Sequence, residues 1–445
     1  MHPRNPRNSL LLAALLAVAT PIASLADWPR WMGDKHDGVY REAGVATEIP
    51  SSGLKVKWRT PIEGGYAGPA VADGRVYVFD YVRKSGEPTN DPQKRVELKG
   101  EERLLALDAT TGNVVWEHRY DCTYTISYPC GPRCTPTVAG GKVYILGSQG
   151  DLRCLDAATG KLVWSKSFTK DFAAAVPLWG FSSHPLIDGD LLYTMVGGKG
   201  QGIVAFDKNT GDVRWKALDT KAGYAPPAII TAGGTRQLLV FHPEGITSVS
   251  PTDGTQYWSE PIKPLYEMSV ARPMLDKDML YLAGIGKQSL LLKLAADKPT
   301  AEIVWRDQER DAIHPGTSTP LFVNGVIYGS DCDRGELMAL DAATGKRLWS
   351  TFAGTRPDET RRVPHGSAFL TRIGDTDRYY ILSEVGDFIV AELTRDGYKE
   401  HGRQKLLEPT GEAFGRSVVW SHPAYANKTA YARNDKEIVA LDLSK

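Results

Sequence analysis

The sequence has no excess of either charge: 53 Lys and Arg balance 53 Asp and Glu over 445 residues. No basic run interleaves with aromatic residues, so the electrostatic footprint of a nucleic-acid partner is missing. After residue 26 there is no long apolar run, and no transmembrane segment is expected. Nucleophile-elbow, HExxH and Ser/His/Asp signatures are absent. Gly197 to Gly202 (GGKGQG) falls between two expected strands with no helix behind it, which argues against a phosphate loop. Cysteine is scarce and odd in number: Cys122, Cys130, Cys134, Cys154 and Cys332. The first three lie in YDCTYTISYPCGPRC, read as a loop. A bridge within this group, or from it to Cys154, is compatible with an exported chain. At least one thiol stays free, and the isolated Cys332 is expected in the core. Cys130-x-x-x-Cys134 has no second pair at zinc spacing, so no metal site is expected.

A repeat is present. LLALDATTGNVVW ends at Trp116, LRCLDAATGKLVW at Trp164, IVAFDKNTGDVRW at Trp215 and LMALDAATGKRLW at Trp349, with worn copies ending at Trp258 and Trp305. Each unit reads as four short antiparallel strands, as in STPLFVNGVIYGS with its Asn324-Gly325 hairpin turn, then ELMALD, then KRLWSTF. One such sheet cannot bury both faces, but sheets stacked radially bury each other, which predicts a β-propeller. The repeated Trp fills the wedge between neighbours, and its indole N–H needs one acceptor.

Inner strands are marked by a proline followed by apolar alternation and a Tyr-rich strand: Pro69, Pro136, Pro185, Pro227, Pro273, Pro320, Ala368 in place of the seventh, and Pro423. Eight inner strands predict eight blades. The eighth unit stops at IVALDLSK without a fourth strand, and LKVKWRTPI around Trp58 supplies it, so the N-terminal strand should close the last blade and leave no open sheet edge. Residues 83 to 103, a charged insertion in the first blade, read as a solvated loop.

Arg4 and Arg7, the apolar run from Leu10 to Val18, and Ser24-Leu25-Ala26 read as a signal peptide cleaved after Ala26. No Cys follows that point, so a lipid anchor is not expected. The expected organisation is a signal peptide (1–26), an N-terminal arm (27–53) and an eight-bladed propeller (54–445), periplasmic or extracellular.

The LDAATGKxxW unit resembles the PQQ-like repeat of quinoprotein dehydrogenases and their non-catalytic relatives, best over residues 104–116, 152–164, 203–215 and 337–349. The opening DWPRWMGDKHDGV is similar to the segment before the first blade in secreted bacterial members. The resemblance implies an all-β propeller and one of two roles. The enzymes hold pyrroloquinoline quinone and Ca²⁺ on the axis and oxidise alcohols or sugars. Their commonest alcohol-oxidising branch has a disulfide between adjacent cysteines; this chain has no Cys-Cys pair and no CxxCH haem site. The other branch, including BamB, binds a partner protein and does no chemistry. In its nearly bare units this chain is similar to the second branch, so a non-enzymatic binding or scaffold module is expected, without a cofactor. The alternative is a PQQ- and Ca²⁺-dependent dehydrogenase, for which Glu267 is the first candidate base.

Propeller ligands sit where the residues ahead of the inner strands converge on the axis. Reading one and three positions before each proline gathers Tyr66, Arg133, His184, Tyr224, Arg272, His365, Trp420 and His422 into one expected funnel. Arginine forks and rings suit an anionic or planar ligand: a quinone, an acidic loop of a protein partner, or a sulfated or uronic glycan. Asp331 to Glu336 (DCDRGE) has a carboxylate spacing reminiscent of a Ca²⁺ loop, but too few further oxygens, and reads as a turn.

Overall fold

The structure is a computed structural model that describes residues 27–307 and 312–445; the expected signal peptide lies outside the described residues. Eight antiparallel sheets follow one another around an axis. Blade 1 contains Ala70–Ala72, Arg75–Ser85, Val96–Asp108 and Val114–Ile126. Blades 2 to 7 span 137–167, 186–217, 228–261, 274–307, 321–351 and 368–405. Each inner strand begins directly after its marker proline, from Ala70 to Ala424, and blade 7 begins at Ala368 itself. A proline there costs nothing, because the ladder begins one residue later.

Blade 8 is composite. Ala424–Ala426, Thr429–Arg433 and Glu437–Asp442 come from the C-terminal end, and Val56–Pro61 forms its outer strand, pairing Trp58 with Ala440 and Thr60 with Ile438. The N-terminal strand therefore closes the ring, as the sequence predicts.

The Trp repeat works as a clamp. Trp58, Trp116, Trp164, Trp215, Trp305 and Trp349 each donate the indole N–H to a backbone carbonyl of the next blade, at 2.7–3.1 Å. The acceptors, Ala109, Ala157, Lys208, Pro251, Ala342 and Thr394, occupy one repeat position, just before the turn that ends in Gly. In five of these six turns that Gly lies on the ring: a Cβ at Gly160 would sit 2.5 Å from Trp116, and one at Gly112 would sit 2.6 Å from Trp58, whereas Gly397 meets nothing within 4 Å. Gly160 and Gly112 also have positive φ, +70° and +74°. The turn therefore demands Gly twice over, for backbone handedness and for ring contact.

Two expectations change. Residues 83–103 are mostly paired strand: Tyr81 faces Glu102, Val82 faces Glu101 and Arg83 faces Gly100, leaving only 86–95 as loop. Dense charge concealed a period-two pattern in which Leu98 and Glu102 point inward while Glu97 and Lys99 point out. The outer strand lengthens to match, so Cys122 lies in a strand and not in a loop. Glu102 is fully buried, accepting from the Tyr120 and Tyr124 hydroxyls and from Ser148 N, which ties the tall part of blade 1 to blade 2. The expected disulfide is also absent. All five cysteines are free thiols. Cys122 packs with Tyr81 and Tyr124, Cys134 and Cys154 sit in a separate apolar cluster, and the Cys130 thiol contacts Asp435.

Residues 27–53 run across one end of the channel. Trp28 exchanges backbone hydrogen bonds with Val71 of blade 1, and Pro29 O accepts from Val138 of blade 2. Val39–Tyr40 then pairs in parallel with the inner strand of blade 7. Farther on, Ala46 N bonds to Leu443 O.

Candidate functional site: an aromatic funnel on the axis

Against the arm lies a cavity of about 600 Å³, where the connections between blades converge. All eight connections between blades reach it: Tyr66, then Arg133, His184, Tyr224, Met268, Thr317, His365 and Trp420, in ring order. Eightfold geometry thus collects residues spread over more than 350 positions.

Of the residues expected from the sequence, Tyr66, Arg133, His184, Tyr224, His365, Trp420 and His422 line this cavity. Arg272 does not. Its guanidinium is buried beside His36 and Asp37 of the arm, with Nη1 3.4 Å from Pro273 O, and burial pulls its pKa down to about 10. The position before a proline faces the axis, but a side chain as long as Arg reaches past the wall into the space that the arm fills. Glu267 also stays outside the wall, half-exposed and paired with Lys221. Asp331, Asp333 and Glu336 are committed to the His314 and Arg334 backbone amides, to Arg362 and to Arg334, which agrees with a turn.

Other wall residues had no sequence rule to find them. Trp31, from the arm, forms the floor: it is 4% exposed, stacks on His184 at 5.0 Å and meets His422 edge-on at 5.6 Å. Trp179 packs against Tyr224 at 5.8 Å. Tyr128 lies 6.1 Å from Trp420, and Phe414 stacks in parallel on His365 at 4.5 Å. Pro92 and Gln93, from the tip of the blade 1 hairpin, reach the mouth. That tip is held down by Asn90 on Glu412 O and by Arg95 on Val176 O and Thr125 O. The Trp-rich arm was the only available signal for Trp31.

The wall is nearly uncharged. Burial lowers the His184 pKa to about 3 and those of His365 and His422 to about 4, so all three are neutral at pH 7. Among the described residues lining the cavity, Arg133 has the only formal charge and no carboxylate is present. Both terminal nitrogens of Arg133 are engaged, Nη1 with Gly131 O and Ser148 Oγ, Nη2 with Ser127 O and Tyr128 O, and its face covers Tyr66 at 5.0 Å. The charge mainly fastens the 127–134 segment.

Two further features mark the site. Trp31 Nε1, Trp420 Nε1, the Tyr128 hydroxyl and both ring nitrogens of His184 are buried without a hydrogen-bond partner. Each such group is costly; others occur elsewhere in the fold, as at His36 and Tyr379, but here several converge on one cavity. In addition, Tyr128, Tyr266, His365 and Phe414 all have left-handed backbone, with φ from +50° to +59°. In a bulky residue this costs about 1–2 kcal/mol. Such strain concentrates where function needs a particular side chain.

The family model described as outer membrane protein assembly factor BamB matches residues 39–124, 100–351 and 242–445. The chain belongs to this family. Among solved structures it is similar to BamB from Moraxella catarrhalis (17% identity, 87% of this chain and 97% of that one, TM-score 0.56). It is also similar to the quinohemoprotein alcohol dehydrogenase from Comamonas testosteroni (14% identity, 94% of this chain and 81% of that one, TM-score 0.59). At these identities the likeness is one of fold. No curated protein sequence matches the chain.

Proposed function

We propose that this BamB-family propeller is an exported, non-enzymatic binding module whose ligand or partner enters the axial funnel. Three features support the reading: a preformed cavity within the usual range for small-molecule sites, an aromatic wall, and buried donors without partners. The observation that carries it is the composition of that wall. The leader-like residues 1–26 support export.

The quinoprotein alternative fits this wall poorly. Ca²⁺ takes six to eight oxygens, normally with carboxylates among them, and no carboxylate lines the funnel. A tricarboxylate quinone also needs free cations, yet Arg133 is engaged by carbonyls and Arg272 lies off the wall.

The test is titration of the purified protein with pyrroloquinoline quinone and Ca²⁺, followed by absorbance and by dye reduction with alcohols and sugars. We expect neither saturable uptake nor dye reduction. Stoichiometric uptake with turnover would overturn the reading. A protein partner, the role named for BamB, would instead be lost on substituting Trp420→Ala at the wall.

A further inference from the structure

We propose that the ligand of the funnel is a neutral saccharide, seated end-on with its ring faces against the aromatic collar and its oxygens toward the buried donors. The inference rests on the binding reading above and names the ligand class for the same cavity.

The shape of the site comes first. Trp31 of the arm lines the inner end of the cavity, 4% exposed and stacked on His184. A groove would suit a chain lying flat; a funnel suits a compact end. At the rim stand Tyr266 and Phe414, 66% and 44% exposed, from the connections after blades 4 and 7. Both are large, apolar and left-handed in backbone, a combination that local energetics oppose twice. Glycine would satisfy the backbone; the Phe414 ring is used in part on His365, whereas the exposed Tyr266 ring is left to serve something else. Flat rings at a mouth suit the C–H faces of a pyranose.

Polarity narrows the class. Two of the unpartnered groups, the indole N–H groups of Trp31 and Trp420, can only donate. Tyr128 can also donate, and neutral His184 donates from one nitrogen and accepts at the other. The residues that carry these donors line the cavity, with the donor atoms buried just behind its surface, and they favour a ligand rich in acceptor oxygen. Sugar hydroxyl and ring oxygens provide this around the edge of an apolar face. A planar aromatic ligand would satisfy the rings but offer fewer oxygens. A peptide offers one carbonyl acceptor per residue, fewer oxygens around a ring-sized patch than a pyranose carries.

Charge decides against the anionic ligands that the sequence suggested. The three histidines are neutral, Arg272 is absent from the wall, and the Arg133 terminal nitrogens already hold four acceptors. A uronate or sulfate would lose its hydration without gaining a free cation.

The experiment is calorimetric titration, with tryptophan fluorescence in parallel, against maltotriose, cellotriose and tri-N-acetylchitotriose. Trigalacturonate serves as the anionic counterpart. At least one neutral trisaccharide should bind at one site per chain, with trigalacturonate at least about tenfold weaker. Tyr266→Gly and Phe414→Gly should each weaken binding by about three- to tenfold, the range of one aromatic contact. Tyr266→Gly should not lower the melting temperature, because it relieves a left-handed residue; Phe414→Gly gains the same relief but gives up the stack on His365. A collar that served only the fold would give the reverse: unchanged affinity and altered stability. The inference is overturned if no neutral trisaccharide binds at millimolar concentration, if trigalacturonate binds as tightly, or if both glycine variants bind like the parent. Uptake of quinone with Ca²⁺ would also bring down the proposed function, whereas saccharide failure without quinone uptake removes this inference alone.

Discussion

The seam between blades 1 and 2 and the seam between blades 4 and 5 solve one problem in two ways. At the first, Trp116 donates across the gap to Ala157 O, and Gly160 lies on its ring. At the second, the repeat has decayed to LLLKLAADKPT, with no turn glycine. Trp258 there turns its N–H to Gln237 Oε1 of its own blade, at 2.8 Å. Leu280, Leu282, Leu290 and Leu292 fill the interface in place of a cross-blade bond. A propeller seam thus needs apolar filling and a satisfied indole. The cross-blade clamp is one way to meet the second need, and a buried glutamine is another.

The largest test of that view removes a whole clamp strand. Deleting residues 54–62 takes Trp58 and the outer strand out of blade 8, exposing a sheet edge and opening the ring. A loss above about 5 kcal/mol, comparable with the total stability of a domain, is expected in urea unfolding. A single cooperative transition at unchanged midpoint would contradict ring closure.

Gly160→Ala and Gly140→Ala separate ring contact from backbone handedness. Both glycines are in blade 2 and have positive φ, +70° and +57°, but a Cβ at Gly140 meets nothing within 4 Å. Handedness alone should cost about 1 kcal/mol at Gly140, and overpacking against Trp116 should raise the loss at Gly160 to about 2–4 kcal/mol. Equal losses would show that the turn glycine is there for the backbone only.

At the worn seam the vulnerable residue is Gln237, which is fully buried and accepts from both Trp258 and Ser248. Gln237→Leu strands both donors and should cost about 2 kcal/mol. Adding Trp258→Phe removes the larger stranded donor, so the double variant should recover part of that loss. No recovery would mean that the glutamine acts through packing and not through the indole.

The seams were more legible in the sequence than the funnel. Trp116 and Gly160 stand out because the repeat states them several times over, although only the fold shows that the glycine of one blade seats on the tryptophan of the blade before it. Register relative to a proline placed His184 and Trp420 on the axis, since every inner strand starts at the same height. That rule carries no information on side-chain reach, and Arg272 escaped it for that reason. It is also blind to parts outside the repeat: Trp31 comes from the arm, Tyr266 and Phe414 from connections of irregular length. The neutrality of the histidines follows from burial, which single-residue spacing does not report.

The smallest expected difference between the two seams is in acid. At clamped seams the turn opens with a carboxylate held below its usual range: Asp108 by the Thr111 amide, Asp156 by the Thr159 hydroxyl, Asp207 by Arg214. The corresponding turn of blade 5 begins at Leu294-Ala295 and has no such group. Because the folded pKa values lie below that of an ordinary aspartate, the carboxylates stabilise the fold above the ordinary aspartate range. The contribution disappears as pH falls through the lowered folded values, where protonation weakens the turn that carries the seam glycine. All three groups lie near the surface, so the effect is modest and screened by salt. Asp156→Asn keeps an oxygen for Thr159 but cannot titrate. Its urea midpoint should therefore fall less than that of the parent between about pH 4.5 and pH 2.5. Hydrogen exchange over the same range should quicken at the blade 1–2 seam before the blade 4–5 seam. If both seams loosen together, and the asparagine variant is as acid-sensitive as the parent, the turn carboxylates have no part in holding the clamp.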